Sequence, residues 1–212
     1  MRERFAAIYS AALADVLDAH GYRQQTLPPS IRPLARGMKL AGQAFTVSGR
    51  PAEPADYDDA LRKVLRMLGK VPAGAVAVYS CEHDVSAHLG ELSVTSLKAR
   101  GVAGCVLDGG CRDVRFILDE GFPVFCRFVT PEDSTWRWEL EATQVPVMVG
   151  RVRIAPGDWV VGDDDGVVVV PEAIAERVLA EAETKAATES EIRVAVRNGM
   201  PPLEAYERFG TF

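Results

Sequence analysis

Three consecutive segments near the middle of the chain constrain its fold most. Val102–Leu107 is a short apolar run that reads as a buried strand, Arg112–Glu120 reads as a helix, and Val124–Phe128 is apolar again and reads as a second strand. Strand, helix and strand joined by short glycine-containing connections point to an α/β sheet. In such sheets ligands collect beyond the carboxyl ends of the strands. Arg112-Asp113, directly after Gly104-Cys105-Val106-Leu107-Asp108-Gly109-Gly110-Cys111, stands where the strand gives way to the helix. It sets a fixed cation beside a hard oxygen donor. A helix-capping ion pair is the structural alternative.

Upstream, Gly90-Glu91-Leu92-Ser93 opens a helix closed by Gly101. The first turn of a helix carries unpaired N–H groups and partial positive charge, which suits a carboxylate or phosphate. An ordinary helix packed on a sheet, its glycines serving turns, is the alternative here.

Further helices are expected over Ser10–Ala19 and Asp56–Leu68, the latter with apolar residues at Leu61, Val64, Leu65 and Leu68. Met38–Val47 and Ala75–Tyr79 read as strands. Val145–Ile154 and Trp159–Val170 are strand-rich, with turns at Pro156-Gly157-Asp158 and Asp163-Asp164-Asp165-Gly166. The three aspartates lack the spacing and closing Glu of an EF-hand, so a hairpin turn is preferred. A long helix runs from Pro171 to about Arg197. This order predicts a single domain over residues 1–212, an α/β/β layered fold with a mixed sheet and a long C-terminal helix.

Lys plus Arg number 24 against 30 Asp plus Glu, a net charge of -6 that disfavours direct nucleic-acid binding. No apolar run reaches the ~20 residues needed to cross a bilayer. Cys81, Cys105, Cys111 and Cys126 lack metal or disulfide spacing and read as buried thiols, so a cytoplasmic location is expected. His83 and His88 are five apart and do not share a helix face, which argues against zinc. Nucleophile-elbow, phosphate-loop and dinucleotide signatures are missing from the sequence. Trp136 and Trp138, flanking Arg137, read as an alternating strand rather than a base-stacking platform.

From about Leu13 to Pro202 the chain resembles the 4-hydroxy-4-methyl-2-oxoglutarate aldolases and the related regulators of ribonuclease E activity, the RraA-like proteins. The resemblance is carried by Gly90-Glu91-Leu92, Lys98-Ala99-Arg100-Gly101-Val102-Ala103-Gly104 and Asp108-Gly109-Gly110-Cys111-Arg112-Asp113-Val114. Gly121-Phe122-Pro123-Val124-Phe125 and the segment from Pro156 to Pro171 extend it. It implies the same layered fold, assembly into homotrimers or hexamers, and a divalent-metal-dependent lyase that releases pyruvate from a 2-keto acid. Retro-aldol cleavage and oxaloacetate decarboxylation both leave a pyruvate enolate, so one site can serve both.

Under that resemblance Asp113 holds Mg²⁺ or Mn²⁺, and Arg112 pairs with the pyruvyl group and its developing charge. The backbone N–H groups of Gly90, Glu91, Leu92 and Ser93 bind the substrate carboxylate, and the Glu91 side chain orders a water. Glu189, with Glu191 as its rival, approaches the metal waters from a neighbouring subunit. Lys98 reads as a surface charge, and no Schiff-base lysine is required. The aldolases place an acid after two residues beyond Arg-Asp, whereas this chain has Phe116 there. That departure keeps a second class in view, a non-catalytic regulator that binds ribonuclease E or another protein.

Overall fold

The computed structural model describes residues 1–54 and 56–212. In chain order the helices are α1 (Arg2–Ala7), α2 (Ser10–Ala19), α3 (Tyr57–Leu68), α4 (Glu91–Ala99), α5 (Val114–Glu120), α6 (Ala175–Arg197) and α7 (Pro202–Phe209). The strands are β1 (Arg32–Pro33), β2 (Leu40–Pro51), β3 (Val76–Ser80), β4 (Ala87–Leu89), β5 (Gly104–Cys111), β6 (Val124–Val129), β7 (Trp138–Thr143), β8 (Val147–Val149), β9 (Val152–Ile154), β10 (Trp159–Asp163) and β11 (Gly166–Val170).

The main sheet runs β1-β6-β5-β3-β2-β10-β11, with β4 added to β5 and β7 to β2. Its centre, β2-β3-β5-β6, is parallel, and the flanking pairs are antiparallel. Side-chain alternation divides the apolar residues between two faces. Phe45, Val47, Ala77, Tyr79, Cys105 and Leu107 point to the face covered by α3, α4 and α5. Ala44, Val76, Val78, Val106 and Phe125 point to the other, where Val160, Val167, Val169 and the β8–β9 hairpin close a second core. The sheet curls until it nearly closes: a side chain at Gly162 on β10 would meet the Phe125 ring on β6 at 3.0 Å. Arg32 on β1 donates to the Asp165 carbonyl in the β10–β11 turn at 2.9 Å. A third core lies under α1, α2 and α6, where Phe5, Leu13, Leu17, Val178 and Leu179 cover Trp159, Val161, Val168 and Val170.

The layered mixed sheet and long terminal helix expected from the sequence are present. Val145–Ile154 is two strands turned at Gly150, and the aspartate run is the tight β10–β11 turn. Several local expectations change: β2 runs past Val47 to Pro51, β5 runs past Leu107 to Cys111, and the helix expected from Pro171 begins at Ala175 after a 3-10 turn over Glu172–Ile174. The helix after Arg112-Asp113 begins only at Val114, because Asp113 takes a left-handed conformation, φ 59°, that a right-handed helix cannot contain. Trp136 lies outside the strand that starts at Trp138 and packs on Tyr57 instead, with ring centroids 5.0 Å apart. Among the described residues no helix is long and apolar enough to cross a membrane.

Candidate active site

The carboxyl ends of β4 and β5 and the first turn of α4 border a cavity of about 410 Å³. Helix α3 supplies Tyr57, Leu61, Val64, Leu65 and Leu68 to its lining, the β4–α4 connection supplies Gly90, Leu92 and Ser93, and Arg112, Asp133, Ser134 and Thr135 complete the polar part. Asp56 fixes the start of α3, its carboxylate accepting from the N–H groups of Asp58 and Asp59 at 2.8 and 3.2 Å.

At the first turn of α4 the N-cap is Gly90, which has no side chain to satisfy the helix N–H groups. Asp113, 22 residues further on, does so instead: its Oδ2 accepts from Glu91 N–H at 3.0 Å. Leu92 and Ser93, next in that first turn, have no intrahelical carbonyl for their N–H groups. A Cβ on Gly90 would lie 2.6 Å from Asp113 Oδ2 and 3.1 Å from Arg112 Nε, so only glycine lets the pair approach the turn this closely. Arg112 is held by its own N–H bond to the Leu89 carbonyl at 3.0 Å. Its guanidinium lies 3.8 Å from Asp113 and 3.9 Å from Asp133, and Asp133 is itself tied to Thr135. Left-handed backbone at a non-glycine residue is costly, and it occurs here at the residue whose carboxylate is aimed at α4.

Burial decides the protonation of the neighbours. His88 on β4 is buried and its imidazole is pushed down to about 3, first by desolvation and then by His83, so it is neutral near pH 7. Neither ring nitrogen has a hydrogen-bond partner among the described residues. Burial raises the Cys111 thiol, and Cys126 adds to the effect, so the cysteine beside Arg112 is not a thiolate nucleophile. Asp108 is raised by desolvation, partly opposed by Arg127 at 3.5 Å.

The donor set suits a hard cation in one respect. Asp113 offers a single carboxylate, 41% exposed, beside the bare face of Gly90. Among the described residues no three His, Cys, Asp or Glu side chains form a cage. An ion held by one carboxylate keeps most of its waters, as Mg²⁺ does.

Residues 10–169 match the family model described as RraA-like, Aldolase/RraA. The chain belongs to this family. Among its relatives, a protein of Halalkalibacterium halodurans provisionally named a 4-hydroxy-4-methyl-2-oxoglutarate aldolase is 32% identical over 96% of this chain and 91% of its own length. Protein DlpA of Legionella pneumophila is 30% identical over 94% of this chain, which spans only 32% of DlpA. Among solved structures, Streptomyces coelicolor RraAS2, described as an unusual member of the RNase ES inhibitor RraA protein family, superposes with a TM-score of 0.81 at 32% identity, covering 91% of this chain and 94% of that one.

In this RraA-like protein Gly90, Glu91, Leu92, Ser93, Arg112 and Asp113 come together as one locus. Glu189 lies elsewhere in the chain: it accepts from the Tyr9 hydroxyl, pairs with Lys185 at 3.3 Å, and borders a groove formed with Ile192, Arg193, Val196 and Phe212. Glu191 is exposed on the same helix. Burial and then the Glu189 carboxylate push the Tyr9 phenol up to about 12. Sequence reasoning missed Asp133, Ser134 and Thr135. They reach the cavity because Ala87 N–H donates to Glu132 and Ser134 N–H donates back to Ala87, pairing that loop with β4. The acid-rich turn Glu132-Asp133-Ser134-Thr135 was the available signal.

Proposed function

We propose that this RraA-like protein is a divalent-metal-dependent carbon–carbon lyase that releases pyruvate from a 4-hydroxy-2-keto acid, 4-hydroxy-4-methyl-2-oxoglutarate or a related acid, and decarboxylates oxaloacetate. The observation that carries the reading is the Arg112-Asp113 pair packed against the glycine-capped first turn of α4, at the mouth of a cavity the size of a small ligand. The aldolase name of the Halalkalibacterium relative agrees with it.

Asp113 would hold the ion, which supplies Lewis acidity toward the 2-keto oxygen. Arg112 pairs with the pyruvyl carboxylate and offsets the negative charge that grows as the C3–C4 bond breaks. The Leu92 and Ser93 N–H groups donate to the same carboxylate, since that of Glu91 is engaged by Asp113. Glu91, at the edge of the site, orders a water. Leu61, Val64 and Leu68 keep the reacting bond away from bulk water. Assembly as a homotrimer or hexamer would bring Glu189 of a neighbouring copy toward the metal waters.

The test is pyruvate release from oxaloacetate, 4-hydroxy-4-methyl-2-oxoglutarate and 4-hydroxy-2-oxopentanoate, with Mg²⁺ or Mn²⁺, with EDTA, and with Asp113→Ala. Turnover that needs both the metal and Asp113 supports the lyase. No turnover above free metal, from folded protein, rejects it. A second reading, a regulator that binds a ribonuclease, is favoured by the exposed Phe116 in place of an acid and by the RraAS2 likeness. Binding to a ribonuclease without pyruvate release supports that reading.

A further inference from the structure

Retro-aldol cleavage of a 4-hydroxy-2-keto acid requires the C4 hydroxyl to give up its proton, so the site needs a base close to C4. Asp133 is the one carboxylate among the described residues that line the cavity. His88, which also lines it, is a poor acceptor, because both ring nitrogens are enclosed and burial pushes the imidazole down to about 3. Arg112 is a cation, and the other polar side chains of the lining, Tyr57, Ser93, Ser96, Ser134 and Thr135, are hydroxyls that still carry their protons.

The position of Asp133 is fixed by the backbone. Ala87 N–H donates to the Glu132 carbonyl at 2.8 Å and Ser134 N–H donates to the Ala87 carbonyl at 3.2 Å, which ties the turn to β4 just ahead of Gly90. The carboxylate accepts from the Thr135 N–H at 3.3 Å and from the Thr135 hydroxyl at 3.1 Å, an Asx turn that orients it. These two bonds use about half of the lone-pair sites of a carboxylate, so the rest stay open to a ligand. Arg112 does not close on it either: the separation is 3.9 Å, against about 2.7–2.9 Å for a charge-assisted hydrogen bond. The cation and the carboxylate therefore stand side by side at the cavity, with neither consumed by the other. C4 of the substrate is three bonds from the carboxylate carbon that pairs with Arg112, so a group beside the guanidinium is within reach of its hydroxyl. A turn cap with no part in the chemistry is the structural alternative.

We propose that Asp133 is the catalytic base that takes the C4 hydroxyl proton in retro-aldol cleavage, a role that oxaloacetate decarboxylation does not call upon. The inference rests on the reading of the cavity as the lyase site. The hydroxyl proton passes to the Asp133 carboxylate, the C4–O bond becomes a carbonyl, and the C3–C4 bond breaks with its electron pair left on C3 as the pyruvate enolate. C3 then takes a proton from water to give pyruvate, the C4 fragment leaves as a ketone or aldehyde, and Asp133 returns its proton to solvent. In oxaloacetate the C3–C4 bond breaks to the same enolate, but C4 leaves as carbon dioxide from a carboxylate that is already ionised. No hydroxyl proton has to be removed, and Asp133 has nothing to accept.

The two reactions on one enzyme supply the test. Asp133→Asn keeps an amide oxygen to accept from the Thr135 N–H, so the turn and the melting temperature should hold while the base is lost. With Mg²⁺, kcat for 4-hydroxy-4-methyl-2-oxoglutarate should fall about 100-fold or more with KM little changed, and kcat for oxaloacetate should stay within about threefold of the parent. Asp133→Ser, whose hydroxyl caps the same turn more weakly, is the second variant and should show the same split. An equal fall in both reactions means that Asp133 acts by positioning Arg112, and it overturns the proposal. Retro-aldol rates within threefold of the parent in a folded variant overturn it as well, and both results leave the lyase standing. A parent enzyme that decarboxylates oxaloacetate but cleaves no 4-hydroxy acid overturns the base and leaves a decarboxylase. A parent that releases pyruvate from neither substrate rejects the lyase reading and this inference with it.

Discussion

Gly90→Ala adds one methyl group at the point where the site is most tightly drawn. The backbone there, φ -135° and ψ -175°, is open to alanine, so the cost is not conformational. The new Cβ would lie 2.6 Å from Asp113 Oδ2, against 3.4 Å for ordinary contact, so the carboxylate must retreat by about 0.8 Å (3.4 − 2.6). The retreat stretches the 3.0 Å bond from Glu91 N–H, worth about 1 kcal/mol for a half-exposed carboxylate. Alanine is also a poorer N-cap than glycine, by about 1 kcal/mol. The sum, about 2 kcal/mol, lowers Tm by roughly 4–8 °C in a chain of this size. Activity should suffer more, because misplacing a catalytic group by about 1 Å costs on the order of 100-fold. Pyruvate release measured by coupled NADH oxidation, beside a melting curve, checks both. A variant within threefold of the parent in rate and unchanged in Tm would show that the close approach of Asp113 to α4 has no bearing on catalysis.

His88 gives a pH signature. Its folded-state value, about 3, lies below the ordinary 6.5, so its contribution to stability is complete above pH 6.5 and is lost as pH falls toward 3. The slope approaches 1.36 kcal/mol per pH unit. His88→Phe should flatten denaturant midpoints across that window and leave stability at pH 7 equal or higher, since two unpartnered ring nitrogens are removed. Phe116 is 56% exposed in the first turn of α5, so Phe116→Asp should cost no stability and gain about 0.3–1 kcal/mol from the helix dipole. If the missing acid orders metal waters, the Mg²⁺ concentration for half-maximal rate should fall about tenfold, and an unchanged requirement would remove that role.

The sheet was legible where strands are uniformly apolar or alternate cleanly, as in β3, β6, β10, β11 and the first half of β5, whose continuation through Asp108-Gly109-Gly110-Cys111 carries no apolar pattern. It was not legible at β4, a three-residue strand with His88 at its centre, because its pairing with Gly110 and Cys111 is set by the partner rather than by its own pattern. Strand β7 joins β2 across a register shift at Ser48/Gly49, which no local periodicity encodes. The site divides in the same way. Arg112-Asp113 and Gly90-Glu91-Leu92-Ser93 lie in short local motifs, and a strand-to-helix boundary marks each. Asp133 enters through backbone pairing with Ala87, 46 positions away (133 − 87), so the acid-rich turn around it marks a polar loop but not its place at the cavity. The left-handed turn at Asp113 was equally hidden, since aspartate is compatible with both a helix start and that conformation.

That turn leaves two roles for one carboxylate, a distal cap for α4 and a metal ligand, and substitution can separate them. Asn in place of Asp113 tolerates the left-handed backbone and keeps an amide oxygen that can accept from Glu91 N–H, so Asp113→Asn should hold stability within about 0.5 kcal/mol. Ala keeps neither property, and Asp113→Ala should lose about 2 kcal/mol, half from the backbone and half from the cap. If Asp113 only caps, rates follow stability: Asn works and Ala is impaired. If it also binds the ion, an amide without charge is a poor ligand for a hard cation, and both variants lose metal-dependent pyruvate release although only one loses stability. An active Asp113→Asn enzyme would therefore leave the first turn of α4 as the whole reason for the aspartate and deprive the lyase of its metal ligand.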